Sequence, residues 1–175
     1  WELFGLRSWM VAFILFGYGI AQSGQPMLSA TEAAAAINFL GIPASILGNE
    51  AAGRFGRSRC IPLAMAVSGT LAWLAGFSAG WPWWVMVLLL AVYFIAIMSD
   101  SAALTAGLVA TTPLHQRGAA MAVYSFGGFG AGFLAPLVFG LVLDIAGGKG
   151  APQAWGVAFG SLGIGCLVAA LASRF

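Results

Sequence analysis

Asp100, in "IAIMSDSAALTAG", is the residue whose type and surroundings most invite chemistry. It lies 17 residues past Trp83 and 13 before Pro113, inside a long apolar run, with Ser99 and Ser101 beside it. A carboxyl group in that setting could bind a proton or a cation during transport. It could also contact a cationic or hydroxylated solute, or pair with an arginine, and the sequence leaves all three readings open. Helical spacing puts Tyr93, Ala96, Ala103 and Gly107 on its face, and small residues favour a protein neighbour over lipid. Asn38, in "AAAAINFLGIPASILG", shares a side with Ala34, Gly41, Ile42 and Ser45, and Pro43 loosens that helix. Its amide suits a solute contact or a bond to another helix. Tyr18 and Gln22, one turn apart in "FGYGIAQSG", could line a vestibule. Glu32 reads differently, because "SATE" from Ser29 matches a helix capping box.

Charge is concentrated in "GNEAAGRFGRSR", residues 48–59, where Arg54, Arg57 and Arg59 stand close together in a chain only 7% charged. Gly56 permits a tight turn between antiparallel helices. Arg54 and Arg57 carry planar donors able to reach helix-end carbonyls or a neighbouring carboxylate, with Glu50 one turn before Arg54 as a partner. Farther on, Gly128, Gly132, Pro136 and Gly140 recur every fourth position below Tyr124. Small residues at that spacing let another helix approach closely, as plain packing or as a moving seam.

Several chemistries are disfavoured. The single histidine, His115, falls between apolar runs, so a buried Ser–His pair is not expected. Asp100 has no evident acidic partner inside a span, which argues against a paired-aspartate protease. No metal-ligand cluster and no phosphate loop ending in Lys is present, so no metal, cofactor or enzymatic activity is expected. Cys60 and Cys166 read as two buried thiols. The net charge of +2, without a basic run interleaved with aromatics, speaks against nucleic acid.

The elements that must hold these residues follow from composition. The 175 residues are 61% hydrophobic, with a mean hydropathy of +0.97. Such a chain cannot cover its outside with polar groups, whereas a bilayer requires an apolar outside. About 20 apolar residues are needed for a helix to cross the hydrocarbon core. Six stretches qualify, at 3–22, 30–49, 61–79, 83–109, 118–143 and 153–173, forming one all-α domain over 1–175. With six spans both ends share one side. Arg7, Arg54, Arg57, Arg59, Arg117 and Arg174 fall there and Lys149 falls opposite, which predicts an inner (plasma) membrane protein with both ends cytoplasmic. Trp81, Trp83 and Trp84 would then sit at the outer interface. The chain starts Trp1-Glu2-Leu3 without Met or signal peptide, which leads us to expect further sequence upstream.

The stretch "GNEAAGRFGRSR" resembles the loop signature of the major facilitator superfamily. Aligned on Gly56, it matches at Arg54, Gly56 and Arg57; it departs at Gly53, where that family carries Asp, at Asn49, where the first Gly is expected, and at Ser58. "TTPLHQRGAAMAVYSFGGFGAGFLAPLVFGLVLDIAGG" is similar to the family's loop from helix ten into a Gly- and Pro-rich helix eleven, and "AWGVAFGSLGIG" to the start of helix twelve. The resemblance implies the carboxy-terminal six-helix half of a twelve-helix carrier, itself a three-plus-three inverted repeat. It also implies that Glu50, Arg54, Gly56 and Arg57 act as a conformational latch. The expected function is secondary transport of a small solute by alternating access, with protons as a coupling ion. The expected partners are the bilayer, the solute and a second six-helix half. The competing expectation is a structural or partner-binding membrane subunit, or a non-functional fragment of a carrier.

Overall fold

The computed structural model describes residues 1–21 and 24–172; Gln22 and Arg174 lie outside the described residues. Among the described residues there is no strand. The helices are α1 Glu2–Ile20, α2 Ala30–Phe55, α3 Arg57–Gly76, α4 Trp83–Thr111, α5 Arg117–Ile145 and α6 Pro152–Ala172, with a 3₁₀ turn at Leu114–Gln116. All six are long and apolar enough to cross a membrane. Their breaks fall where the backbone chemistry demands. Ser29 and Glu32 close the expected capping box: the Ser29 N–H donates to Glu32 Oε2 at 2.8 Å and the Glu32 N–H donates to Ser29 Oγ at 3.3 Å. Gly147 and Gly148 turn the chain between α5 and α6 at φ +123° and +79°.

One boundary differs from the sequence expectation. The arginine-rich stretch is not a loop: α2 continues to Phe55, α3 begins at Arg57, and Gly56 alone, at φ +94°, joins them. Ala51 and Ala52 are good helix formers, and the Glu50–Arg54 ion pair spans one helical turn, so the charges extend the helix instead of ending it.

Helices α1, α3 and α5 run one way and α2, α4 and α6 the other. Gly41 and Gly48 of α2 meet Phe94 and Ser99 of α4 in parallel order; Gly69 and Gly76 of α3 meet Gly163 and Gly156 of α6 in antiparallel order. The pairs in backbone contact are α3 with α6, α2 with α4, α1 with α5, α3 with α4, α1 with α6, α5 with α6, α2 with α3, α1 with α2, α4 with α5, and α1 with α4. Exchanging α1 with α4, α2 with α5 and α3 with α6 maps this set onto itself and reverses every helix direction. The packing therefore has the topology of two inverted three-helix blocks, a relation that the residues alone do not reveal.

An aromatic core holds the blocks together at the Trp83 end. Phe13, Phe139, Trp155 and Phe159 are fully enclosed, with ring centroids 4.8 Å apart for Phe13 and Phe159 and 5.2 Å for Phe139 and Phe159. Helix α5 is the least enclosed, burying only Gly132, Ala135, Phe139 and Leu143, while Phe126 and Phe133 project outward. α2 and α5 do not touch, so α1, α2, α4 and α5 bound one open face.

Candidate functional site

Two polar regions stand out against the apolar bundle, one on the open face and one inside. On the open face, a cleft of about 630 Å³ is lined by Ser45 of α2, by Met98, Ser101 and Thr105 of α4, and by Arg117 at the start of α5. A second cleft of about 330 Å³ shares Ser101 and Thr105 and adds Phe4 of α1 with Tyr124 and Gly128 of α5. The two adjoin along α4. The Thr105 and Tyr124 hydroxyls lie 3.3 Å apart across the groove.

Arg7 lines neither cleft, but it sits over Phe94, one turn of α4 from Met98. The sequence placed it at the end shared by the other arginines. In the structure its guanidinium lies 5.4 Å from the Phe94 ring centroid, midway along α4 and well short of that end. The reason is the level of α1, whose Glu2 already reaches Ser68, halfway along α3. Arg7 is exposed on the bundle, and among the described residues it forms no ion pair.

Asn38 is half-buried, and its Nδ2 donates to the Ala34 carbonyl of its own helix at 2.8 Å; among the described residues the amide bonds to no other helix. Tyr18 packs edge-on against Trp83 at 6.3 Å, at the end of the bundle where the sequence put it. Its hydroxyl is buried and, among the described residues, has no hydrogen-bond partner. The four-residue seam of α5 serves α1 in three of its positions. A Cβ on Gly132 would lie 2.6 Å from Phe4, one on Gly140 2.9 Å from Trp9, and the Pro136 carbonyl accepts from Trp9 Nε1 at 3.0 Å. Gly128 meets nothing within 4 Å and opens into the cleft.

Inside the bundle a second buried carboxyl group, Glu2, joins Asp100. Glu2, only 5% exposed, points into the interior close enough for its charge to act on Asp100. Ser68 Oγ donates to Glu2 Oε2 at 2.9 Å and Cys166 Sγ donates to the same oxygen at 2.7 Å. Tyr93, fully buried, turns its hydroxyl toward the carboxylate, yet neither Tyr93 Oη nor Glu2 Oε1 has a partner at hydrogen-bond geometry. Asp100 itself lines a cleft of about 420 Å³ with Gly48 of α2 and with Cys60, Ala64 and Val67 of α3, away from the open-face groove. Helical spacing carries the Glu2 signal: Glu2, Leu6, Met10, Phe13 and Gly17 form the buried stripe of α1.

At the end of the bundle that bears the arginines, Arg54 pairs with Glu50 as the spacing predicts, on an exposed surface. Arg57 lies along α4, its Cδ 3.2 Å from the position of a Cβ on Gly107, and its Nε is buried with no partner among the described residues. Among the described residues, neither arginine reaches a carboxylate on a neighbouring helix.

Comparison of the chain with family models, with curated proteins and with solved structures found no match.

Proposed function

We propose that the protein is a six-helix half of a secondary carrier of the major-facilitator type, moving a small solute across a membrane by alternating access. Arg7 carries the reading. An arginine at mid-height of an apolar bundle costs roughly 2.5–3.5 kcal/mol against lipid on insertion scales, and such residues face cavities or partners. Arg7 stands exposed beside the groove that contains Ser45, Ser101, Thr105 and Tyr124, which suits a watered path completed by a second six-helix half. The inverted three-helix exchange and the match of Arg54, Gly56 and Arg57 to the family's signature add support. Arg54, Arg57, Arg59 and Arg117 at one end and Lys149 at the other favour that first end as cytoplasmic, in an inner or plasma membrane. Glu50, Arg54 and Arg57 are then the latch of one conformation. A static membrane subunit would leave Arg7 without a purpose.

The test uses vesicles reconstituted with the full-length protein and loaded with a pH-sensitive dye. A panel of small solutes is applied outside, with and without a proton gradient. The expected result is that one solute class moves protons with it, that Asp100→Asn abolishes the proton movement, and that Arg7→Gln slows uptake at least tenfold. Uptake no faster than in empty vesicles across the panel contradicts the carrier reading.

A further inference from the structure

A side cleft of about 440 Å³ runs down the flank of the bundle between α3 and α4. Its chemistry changes along its length. Arg57, Ser58 and Thr111 line it at the arginine end, where α3 starts and α4 stops. One to two turns farther in, the walls are Ile61, Pro62, Leu104 and Leu108, and Tyr124 of α5 completes them. The Arg57 stem crosses α4 at Gly107, with Cδ 3.2 Å and Nε 3.7 Å from where a Cβ would stand. That nitrogen is buried with no partner among the described residues, while the two Nη groups stay accessible along the cleft. Thr111 gives its hydroxyl proton to the Gly107 carbonyl at 2.9 Å, which leaves Ser58 as the second donor at hand. No carboxylate is among the described residues that line the cleft, and Glu50 is already paired with Arg54.

We infer that this cleft binds one anionic phospholipid. Its phosphodiester lies on the Arg57 Nη groups and the Ser58 hydroxyl, and its acyl chains lie against Ile61, Pro62, Leu104 and Leu108. A planar pair of guanidinium donors matches two phosphate oxygens. Basic pockets between helices at a membrane surface hold anionic head groups in the same way. Free phosphate would fill the polar end and leave the apolar walls empty; a phospholipid covers both. The head group must be net negative, because a choline or ethanolamine cation would meet Arg57 and no acid. The volume falls in the range of small-ligand sites, about 300–1,000 Å³, so it takes the head group and the first acyl carbons while the rest of the chains run along the bundle. The inference rests on the chain spanning a membrane and not on its moving a solute.

The test therefore reads lipid and no transport. Full-length protein in neutral detergent is offered phosphatidylglycerol and phosphatidylcholine with the same acyl chains at equal concentration, and retained lipid is counted by native mass spectrometry. The expected result is preferential retention of one phosphatidylglycerol. Arg57→Gln is expected to lower that retention about fivefold, the worth of one basic side chain near an anionic surface. Leu108→Trp, which fills the cleft without changing its charge, is expected to lower it as well. Arg59→Gln removes an exposed arginine of the same end that does not line the cleft, and retention should stay almost unchanged. Equal retention of the two lipids overturns the inference, as does full retention in Arg57→Gln or in Leu108→Trp. A loss in Arg59→Gln as large as that in Arg57→Gln overturns it in favour of surface charge alone. Displacement of the lipid by millimolar inorganic phosphate overturns it in favour of a free-anion site. If Arg57→Gln does not fold, Leu108→Trp and the comparison of the two lipids still decide.

Discussion

Gly48 and Gly163 sit where helix backbones come closest. A Cβ on Gly48 would lie 2.4 Å from Ser99 Cα, and one on Gly163 would lie 2.5 Å from the Gly69 carbonyl oxygen. Backbone atoms cannot rotate aside, so α2 must separate from α4, or α3 from α6, to admit a methyl group. Gly48→Ala and Gly163→Ala are each expected to destabilise the fold by about 1–3 kcal/mol, the usual cost of overpacking. Gly128→Ala meets nothing within 4 Å and replaces a poor helix former, with an expected gain of up to about 1 kcal/mol. Unfolding midpoints of the three variants in one detergent series check the contrast; a loss at Gly128 equal to that at Gly48 would mean that α5 has an undescribed neighbour there. Asp100 was legible because a lone carboxyl group inside an apolar run has few innocent explanations. Glu2 and Arg7 were not, because charges near the start of an apolar segment read as its boundary. Only the register of Glu2 with Leu6, Met10 and Phe13 distinguishes it.

Between elements, the junction of α2 and α3 carries the most conformational demand. A single residue, Gly56 at φ +94° and ψ 126°, reverses the chain, and its carbonyl accepts from the Arg59 and Cys60 amides to start α3. An L side chain is strained there. Gly56→Ala is expected to cost about 1–3 kcal/mol and to speed amide exchange at Arg59 and Cys60 without altering exchange in α6, read by hydrogen–deuterium exchange. Uniform protection in the variant would contradict this. The six helices were legible because their apolar runs are long and Pro or Gly marks most breaks. This junction was not, because charge suggests a loop while Glu50, Ala51, Ala52 and Arg54 keep the helix going.

At the scale of the molecule, the exchange of α1–α3 with α4–α6 was hidden from sequence for a physical reason. Leu, Val, Ile and Phe substitute for one another in apolar helices, so two blocks can keep one packing pattern while their residues diverge. The exchange leaves α1, α2, α4 and α5 around an open groove, with α3 and α6 behind it. The central claim is that this groove faces water while the back of the bundle faces lipid. The decisive measurement is labelling by a membrane-impermeant maleimide in native membranes, using full-length protein with Cys60→Ala and Cys166→Ser. Single cysteines are placed at Ser45 in the groove, at Arg7 on the exposed side of α1 near it, and at Leu74 and Val168 behind it. Arg7→Cys and Ser45→Cys are predicted to react, from one side of the membrane or the other, while Leu74→Cys and Val168→Cys stay unlabelled. Equal labelling at all four, or none at Arg7 and Ser45, would contradict the claim.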